Sequence, residues 1–138
     1  MERIKIKQPS DCLELLKAYE RKHQEHFGII CLDGGYNVLA KKVLFVGGTS
    51  RALVDTKIVL WTALEKKSTA VILFHNHPSG DTTPSIEDME TTEHLRKALS
   101  ICGMKLLDHM IIGKYSYFSF LERDLIDNGD EKTLVAER

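Results

Sequence analysis

Apolar positions along the chain follow two periods, one of two residues that is typical of strands and one near 3.6 that is typical of helices. Short apolar runs rich in β-branched residues, bounded by glycine or charged residues, predict five strands. In chain order the predicted strands cover about Glu25–Asp33, Val38–Val46, Ala70–Phe74, Lys105–Ile112 and Tyr115–Phe120. The Gly34-Gly35 dipeptide between the first two strands suits a tight hairpin.

Helical periodicity indicates a first helix ahead of the strands. It is expected to begin at Ser10 or Asp11 and to run to about Gln24. Its buried side is predicted to hold Leu13, Leu16 and Tyr19.

Two further helices lie between the strands. Asp55 is expected to cap one that runs through Lys67 and buries one broad apolar face, with these positions: Ile58, Val59, Leu60, Trp61, Ala63 and Leu64. The other begins at Ser85 with a capping-box signature and ends near Cys102, with Gly103 in the C′ position. Helices alternating with strands favour an α/β domain.

The two ends of the chain are weakly patterned. Residues 1–9 are basic and alternating, which predicts an edge strand or an arm, and the segment from Glu122 onward predicts a short helix or a frayed end. No linker divides the 138 residues, so one domain is expected over 1–138, with a core at about 10–121 and a tail at 122–138.

Composition and charge narrow the classes of function. Hydrophobic residues make up 43% of the chain and charged residues 28%, as in ordinary globular proteins, and no signal peptide or membrane-spanning run is present. The net charge of −1 gives no bulk attraction to nucleic acid, so direct nucleic-acid binding is not expected. Cys12, Cys31 and Cys102 are odd in number and widely spaced, which fits a reducing cytoplasm.

Candidate chemistry concentrates between Phe74 and Asp88. His75 and His77 lie two residues apart at the end of a predicted strand, so both side chains point to one face. Asp88 lies one turn inside the following helix, within reach of the same point. Two imidazoles and one carboxylate leave a fourth position open, which is the pattern of a catalytic zinc site. The alternative is structural, because Ser85 and Asp88 at this spacing also form an ordinary reciprocal helix cap.

This stretch resembles the JAMM signature of MPN-type metallopeptidases. Together with residues further along the chain, it resembles the bacterial RadC-like branch of that family, and the similarity runs from about Gln24 to Phe120. The residues that carry the resemblance are His75-Asn76-His77-Pro78-Ser79-Gly80, Pro84, Ser85-x-x-Asp88, Leu107-Asp108-His109 and Gly113. The resemblance implies an α/β fold of the MPN/JAB type, a mixed sheet flanked by helices and similar to that of cytidine deaminases. It also implies that His75, His77 and Asp88 bind Zn²⁺.

Catalysis by such a centre needs a carboxylate that is not a metal ligand, to take the proton of the attacking water and deliver it to the leaving amine. Glu25 is the candidate, because it opens an apolar strand and matches the position of the glutamate in the JAMM pattern. The alternative is that Glu25 only ends an exposed helix, and Glu65 would then be the fallback. The resemblance assigns Ser85 an oxyanion-stabilising role, which is compatible with capping the helix.

Asp108 and His109 form a second polar pair on a predicted strand. The sequence leaves two interpretations open, a pair that orients a ligand or the sheet, and a satisfied pair in the core. If His75 and His77 are neutral zinc ligands, as the resemblance implies, their second ring nitrogens also need hydrogen-bond partners.

The function that the resemblance implies is a zinc-dependent metallopeptidase or isopeptidase. Its partner would be a peptide or an isopeptide-linked protein, with specificity in loops such as Gly47–Val54 and Asp81–Pro84, and a homo-oligomer is compatible with the sequence. One alternative is a non-enzymatic MPN-like interaction module, although such modules usually lack the metal ligands. Another is a DNA-repair-associated or DNA-processing protein, but the helix-hairpin-helix module of full-length RadC-like proteins is not expected in this sequence.

Overall fold

The computed structural model describes residues 3–47 and 53–126. Its centre is a mixed five-stranded sheet in the order β2-β1-β3-β4-β5. The strands are β1 (His26–Leu32), β2 (Val38–Val46), β3 (Ala70–Asn76), β4 (Lys105–Ile112) and β5 (Tyr117–Ser119). Only the β3–β4 pair is parallel, and the other neighbouring pairs are antiparallel. The predicted α/β class and all five predicted strands are confirmed.

The β1–β2 hairpin forms where the glycine pair predicted it. Gly34 and Gly35 occupy the turn, but the residue with positive φ is Tyr36, at 64°. The Asp33 carboxylate accepts hydrogen bonds from the backbone N–H groups of Gly35 and Asn37, which holds the left-handed residue between them.

Alternation along the strands builds an apolar core on each face of the sheet. On one face, Phe27, Ile29 and Leu73 pack with residues of two helices. On the other face, Ile30 and Phe74 pack with residues of the amino-terminal segment. Neighbouring residues of β3 therefore pack into different cores, Leu73 into one and Phe74 into the other. The same alternation places His75 and Asn76, at the end of the strand, on opposite faces of the sheet.

Helix α3 (Ile86–Ile101) has the predicted ends. Ser85 is its N-cap and Gly103, with φ of +80°, follows its C-cap Cys102. Leu95 and Leu99 are fully buried against the sheet, so one narrow stripe of the helix fixes its position.

Helix α2 (Thr56–Glu65) is capped by Asp55 as predicted, since the Asp55 carboxylate accepts from the Lys57 N–H. The prediction that its whole broad apolar face is buried is wrong. Val59 and Ala63, one turn apart, are fully buried, whereas Trp61 is 66% exposed. Ile58 and Leu64 are also exposed. A helix touching a sheet buries only the residues that recur every three or four positions along one line, which hydrophobicity alone does not reveal.

The predicted first helix is also wrong in length. The structure has three short turns instead: a 3₁₀ turn at Pro9–Cys12, the single α-turn α1 at Leu13–Leu16 and a second 3₁₀ turn at Lys17–Tyr19. Gln8 is the N-cap rather than Ser10 or Asp11, and Leu16 leaves the helical conformation with φ of −103° and ψ of 1°. Leu16 is nevertheless buried, as expected.

Some predictions lie outside the described residues. They concern Asp127–Arg138 of the tail and residues 48–52 of the proposed specificity loop Gly47–Val54. Of the predicted tail, residues 122–126 are described, and Ile126 packs into the core beside the α2 and α3 layer. Within residues 3–47 and 53–126, no helix has the length and apolar character needed to cross a membrane.

Candidate metal centre

His75 and His77 stand at the carboxyl end of β3. Strand pairing with β4 places them there, because the backbone N–H of His77 still donates to the carbonyl of Ile112, 3.0 Å away, after the strand has ended. His75 is fully buried and the His77 side chain is 13% exposed. The two rings therefore share one site, and His77 lies on its open side.

Asp88 enters the site from the first turn of α3. The Ser85 hydroxyl accepts from the Asp88 N–H at 3.0 Å, and Asp88 Oδ2 accepts from the Ser85 N–H at 2.9 Å. This reciprocal cap is the structural use that the sequence left open. It does not exclude metal binding, since it fixes the rotamer that turns the Asp88 carboxylate toward the histidines.

The three predicted ligands converge. Asp88 Oδ1 lies 3.4 Å from His75 Nε2, and Asp88 Oδ2 lies 3.2 Å from His77 Nε2. The two Nε2 atoms are 3.0 Å apart. One potential ligand atom from each residue falls within a group whose members are all within 4.8 Å of one another. The group could hold a metal ion.

The His77 ring has a defined tautomer in its neutral form. Its Nδ1 atom lies 2.8 Å from the carbonyl oxygen of Asp81, which can only accept a hydrogen bond. Nδ1 therefore carries the proton, and Nε2 presents a lone pair to the site. The loop that supplies this carbonyl turns back at Gly80, where φ is +89° and the N–H donates to the His77 carbonyl.

A longer chain of contacts sets the tautomer of His75. The Thr92 hydroxyl donates its one proton to the Asp88 carbonyl, so its oxygen accepts from His109 Nδ1, 2.5 Å away. His109 Nε2 is left with a lone pair and accepts from His75 Nδ1 at 2.8 Å. His75 Nε2 consequently also presents a lone pair to the site.

Neutral His75 and His77 thus direct unprotonated Nε2 atoms at each other and at the Asp88 carboxylate. Lone pairs at 3.0 Å repel when nothing lies between them, and a cation bound by both nitrogens and the carboxylate removes this repulsion. The chemistry of the donor set fits a divalent metal with three protein ligands.

Without a metal, a proton is the competing cation. The hydrogen bond to Asp88 raises the pKa of His77 against the opposing effect of burial, and the Asp81 carbonyl and the charge of Glu25 act in the same direction. Burial raises the pKa of Asp88, but the hydrogen bonds of His75 and His77 outweigh it and hold that pKa far below its usual range. For His109, burial and the neighbouring His75 hold the pKa well below its ordinary value, so its ring stays neutral.

The structure separates Asp108 from His109, which the sequence had grouped as one polar pair. His109 belongs to the metal centre through His75, while Asp108 faces the amino-terminal side of the sheet. There the Asp108 carboxylate accepts from the Ser119 hydroxyl and from the N–H groups of Leu121 and His109. Asp108 is thus a satisfied core residue, and His109 holds the ring of the predicted ligand His75.

The two predicted catalytic residues lie around this centre. Glu25 is half-buried just before β1, its carbonyl accepts from the Gly47 N–H at 2.8 Å, and its charge acts on His77. Ser85 is exposed at the N-terminus of α3, next to Asp88. The fallback Glu65 ends α2 and is exposed.

The sequence left a ligand-orienting role open for His109, and it gave no signal for the contacts of Thr92 and Asn76. His109 and Thr92 orient His75, and Asn76 holds the segment that carries Glu25. The parallel pairing of β3 with β4, which places Leu73 opposite His109, is what brings His109 to the site. In the sequence, the polar pair Asp108-His109 on a predicted strand was the signal that pointed to this contact.

The chain also matches known proteins. A family model described as the RadC-like JAB domain matches residues 6–125. The chain belongs to this family. A UPF0758 protein of Listeria welshimeri is 43% identical over 123 residues, which is 88% of this chain and 55% of that protein. A UPF0758 protein of Shouchella clausii is 41% identical over 119 residues, 86% of this chain and 52% of that protein.

These relatives are longer proteins. This RadC-like JAB chain spans about half the length of the curated relatives it matches. Their names state a family and no activity.

Proposed function

We propose that this RadC-like JAB domain is a zinc-dependent hydrolase of peptide or isopeptide bonds. The observation that carries the proposal is the convergence of the Nε2 atoms of His75 and His77 and the Asp88 carboxylate on one point. Three nitrogen and oxygen ligands with an open side formed by the partly exposed His77 suit catalytic zinc, which keeps a position for water or substrate.

Each residue has a role that follows from its place. When bound, zinc supplies Lewis acidity, which polarises the scissile carbonyl and lowers the pKa of the attacking water toward about 7. Glu25 accepts the proton of that water and returns it to the leaving amine. The Ser85 hydroxyl donates to the developing oxyanion while its oxygen continues to cap α3.

An amine leaving group explains why a proton carrier is needed. An amide nitrogen leaves only after it has been protonated, so the group that activates water must also return a proton. The charge of Glu25 acts on His77, the more exposed ligand, which supports a position on the open side of the centre. Two buried free cysteines, Cys12 and Cys31, are compatible with a reducing cytoplasm as the working compartment.

The first test is metal content. Protein purified without added metal should contain about one zinc ion per chain, and His77→Ala and Asp88→Asn should lose it. Iron in place of zinc would instead support oxygen chemistry, since two histidines and one carboxylate also bind non-haem iron. Absence of any metal, with no uptake on titration with zinc, would contradict the proposal.

The second test is activity against a panel of peptides and isopeptide-linked proteins. Glu25→Gln should retain zinc and lose cleavage by about a hundredfold or more, as expected for loss of a general acid–base. Glu65→Gln is the matched control, because Glu65 is an exposed glutamate at the end of α2 and should leave cleavage unchanged. Equal activity of the Glu25 variant and the wild type would remove Glu25 from the mechanism.

A further inference from the structure

The middle residue of the His75-Asn76-His77 string points away from the metal centre. Asn76 lies on the opposite face of β3 from His75, and it is 1% exposed. Its side chain reaches the segment between the second 3₁₀ turn and β1. Asn76 Oδ1 accepts from the His26 N–H at 2.6 Å, and Nδ2 donates to the carbonyls of Gln24 at 3.1 Å and Lys22 at 3.5 Å.

Residues 20–25 have little regular structure to hold them. They follow the last 3₁₀ turn, precede β1, and form neither a helix nor a strand. The backbone of Glu25 is bracketed by the Asn76 amide, which contacts the carbonyl of the preceding residue, Gln24, and the N–H of the following residue, His26. The Glu25 carbonyl accepts from Gly47, at the end of β2. These contacts fix the path of the chain through Glu25.

We propose that Asn76 is a positioning residue, whose side-chain amide holds Glu25 in register with the metal ligands His75 and His77 on either side of it. This inference rests on the function proposed above, and it names the part of the chain that aligns the general acid–base with the metal. Three consecutive residues at the end of β3 would then supply two metal ligands, His75 and His77, and through Asn76 hold the proton carrier Glu25.

The chemistry of the contacts explains why asparagine suits this position. The site needs one acceptor for the His26 N–H and a donor for the carbonyls of Gln24 and Lys22, and a primary amide offers both within one short side chain. Aspartate supplies the acceptor but places a carboxylate against the Gln24 carbonyl, and alanine supplies neither. Because Asn76 is buried, water cannot replace the lost partners without opening the segment.

The test compares Asn76→Ala, Asn76→Asp and Glu25→Gln with the wild type. Asn37→Ala is the matched control, since Asn37 is a part-buried asparagine that contacts Asp33 in the β1–β2 hairpin, away from the site. Each protein is loaded with cobalt(II), whose visible spectrum reports the charges and hydrogen bonds around the open metal position. Amide hydrogen exchange is measured on the same proteins.

All variants should bind one metal ion per chain, because the three ligands remain. In Asn76→Ala, exchange at the His26 amide should accelerate about tenfold as its acceptor is lost. Asn76→Asp should keep most of this protection. Both Asn76 variants should shift the cobalt spectrum in the direction seen for Glu25→Gln, while Asn37→Ala leaves spectrum and exchange unchanged.

Two failures can be told apart. If Glu25→Gln changes the cobalt spectrum and Asn76→Ala leaves it as in the wild type, or if the His26 amide exchanges at the wild-type rate in Asn76→Ala, the positioning role is overturned and the proposed hydrolase stands. If no metal binds, or if Glu25→Gln leaves the spectrum unchanged, the proposed role of Glu25 fails and the positioning role fails with it. Faster exchange alone would then mark Asn76 as purely structural.

Discussion

The Nδ1 atom of His75 lies 2.8 Å from the Nε2 atom of His109 on the neighbouring parallel strand. His109 is fixed in turn by the Thr92 hydroxyl from α3. This chain of hydrogen bonds leaves the His75 Nε2 lone pair facing the metal position without any charged partner behind it. Metal-binding histidines generally depend on such a contact at their second nitrogen.

Replacing His109 by phenylalanine should therefore weaken metal binding about 10- to 100-fold, because His75 Nδ1 loses its acceptor and the ring is free to turn. Phenylalanine keeps the size of the ring, which stacks on Phe120 with centroids 4.9 Å apart. Zinc affinity measured by competition with a chelator checks this. His94→Phe is the control, since His94 is exposed and contacts Thr56 instead. Equal affinities of both variants and the wild type would contradict the role of His109.

Metal affinity should fall as the pH is lowered, and the fall should begin above pH 6.5, the ordinary pKa of histidine. The reason is that the pKa of His77 is raised, so binding must displace a proton from this ring already near neutral pH. With one proton released, the apparent affinity should drop about tenfold for each pH unit below the His77 pKa.

Chelator competition between about pH 5 and 8, corrected for protonation of the chelator, measures this dependence. The metal-free protein should show the matching linkage. The stability that His77 contributes is fully present below pH 6.5 and is lost as the pH rises through its raised pKa. A metal affinity that is flat across this range would contradict the prediction.

Asp108 should make the protein less stable as the pH rises from about 4 to about 6. Burial raises the pKa of Asp108 to about 6, against the hydrogen bonds of Ser119, Leu121 and His109. The unfolded chain loses this proton near pH 3.8 while the folded chain keeps it, so the free energy of unfolding falls over that window and is level above it.

The Asp108→Asn variant should lack this fall. The difference in the free energy of unfolding, variant minus wild type, should therefore increase by on the order of 2 kcal/mol between pH 4 and 6. Urea unfolding of the two proteins at several pH values checks this. Asp33→Asn serves as a control of opposite sign, because hydrogen bonds from Asn37 lower the pKa of the half-buried Asp33. A pH-independent difference between Asp108→Asn and the wild type would count against the prediction.

Gly28→Ala should destabilise the fold by about 2 kcal/mol or more. A Cβ atom at this position would run into the ring of the fully buried Phe74 and the backbone carbonyl of Lys42 on the paired strand β2. Gly34→Ala is the control, since a Cβ there meets only Thr69 Oγ1 at 4.0 Å. Thermal unfolding of both variants provides the comparison. A Gly28→Ala protein with the wild-type melting temperature would contradict the prediction, because the sheet would then accommodate a Cβ atom at this position.

The sequence alone determined the strands, the ends of α3 and the group of His75, His77 and Asp88. These features depend on short-range rules: side chains alternate along a strand, and a serine cap places the residue three positions later at the helix N-terminus. The Glu25 role rested on its place at the start of an apolar strand together with the family resemblance, and the Ser85 role on the resemblance; both remain proposals.

Only the tertiary structure decided which partners complete the site and which surfaces are buried. His109 reaches His75 through parallel pairing across 34 residues, and Asn76 reaches His26 across 50. Trp61 of α2 looked like a core residue and is exposed. Hydrophobicity and spacing report what one segment does by itself, whereas these outcomes depend on which segments the folded sheet brings into contact, which no local pattern encodes.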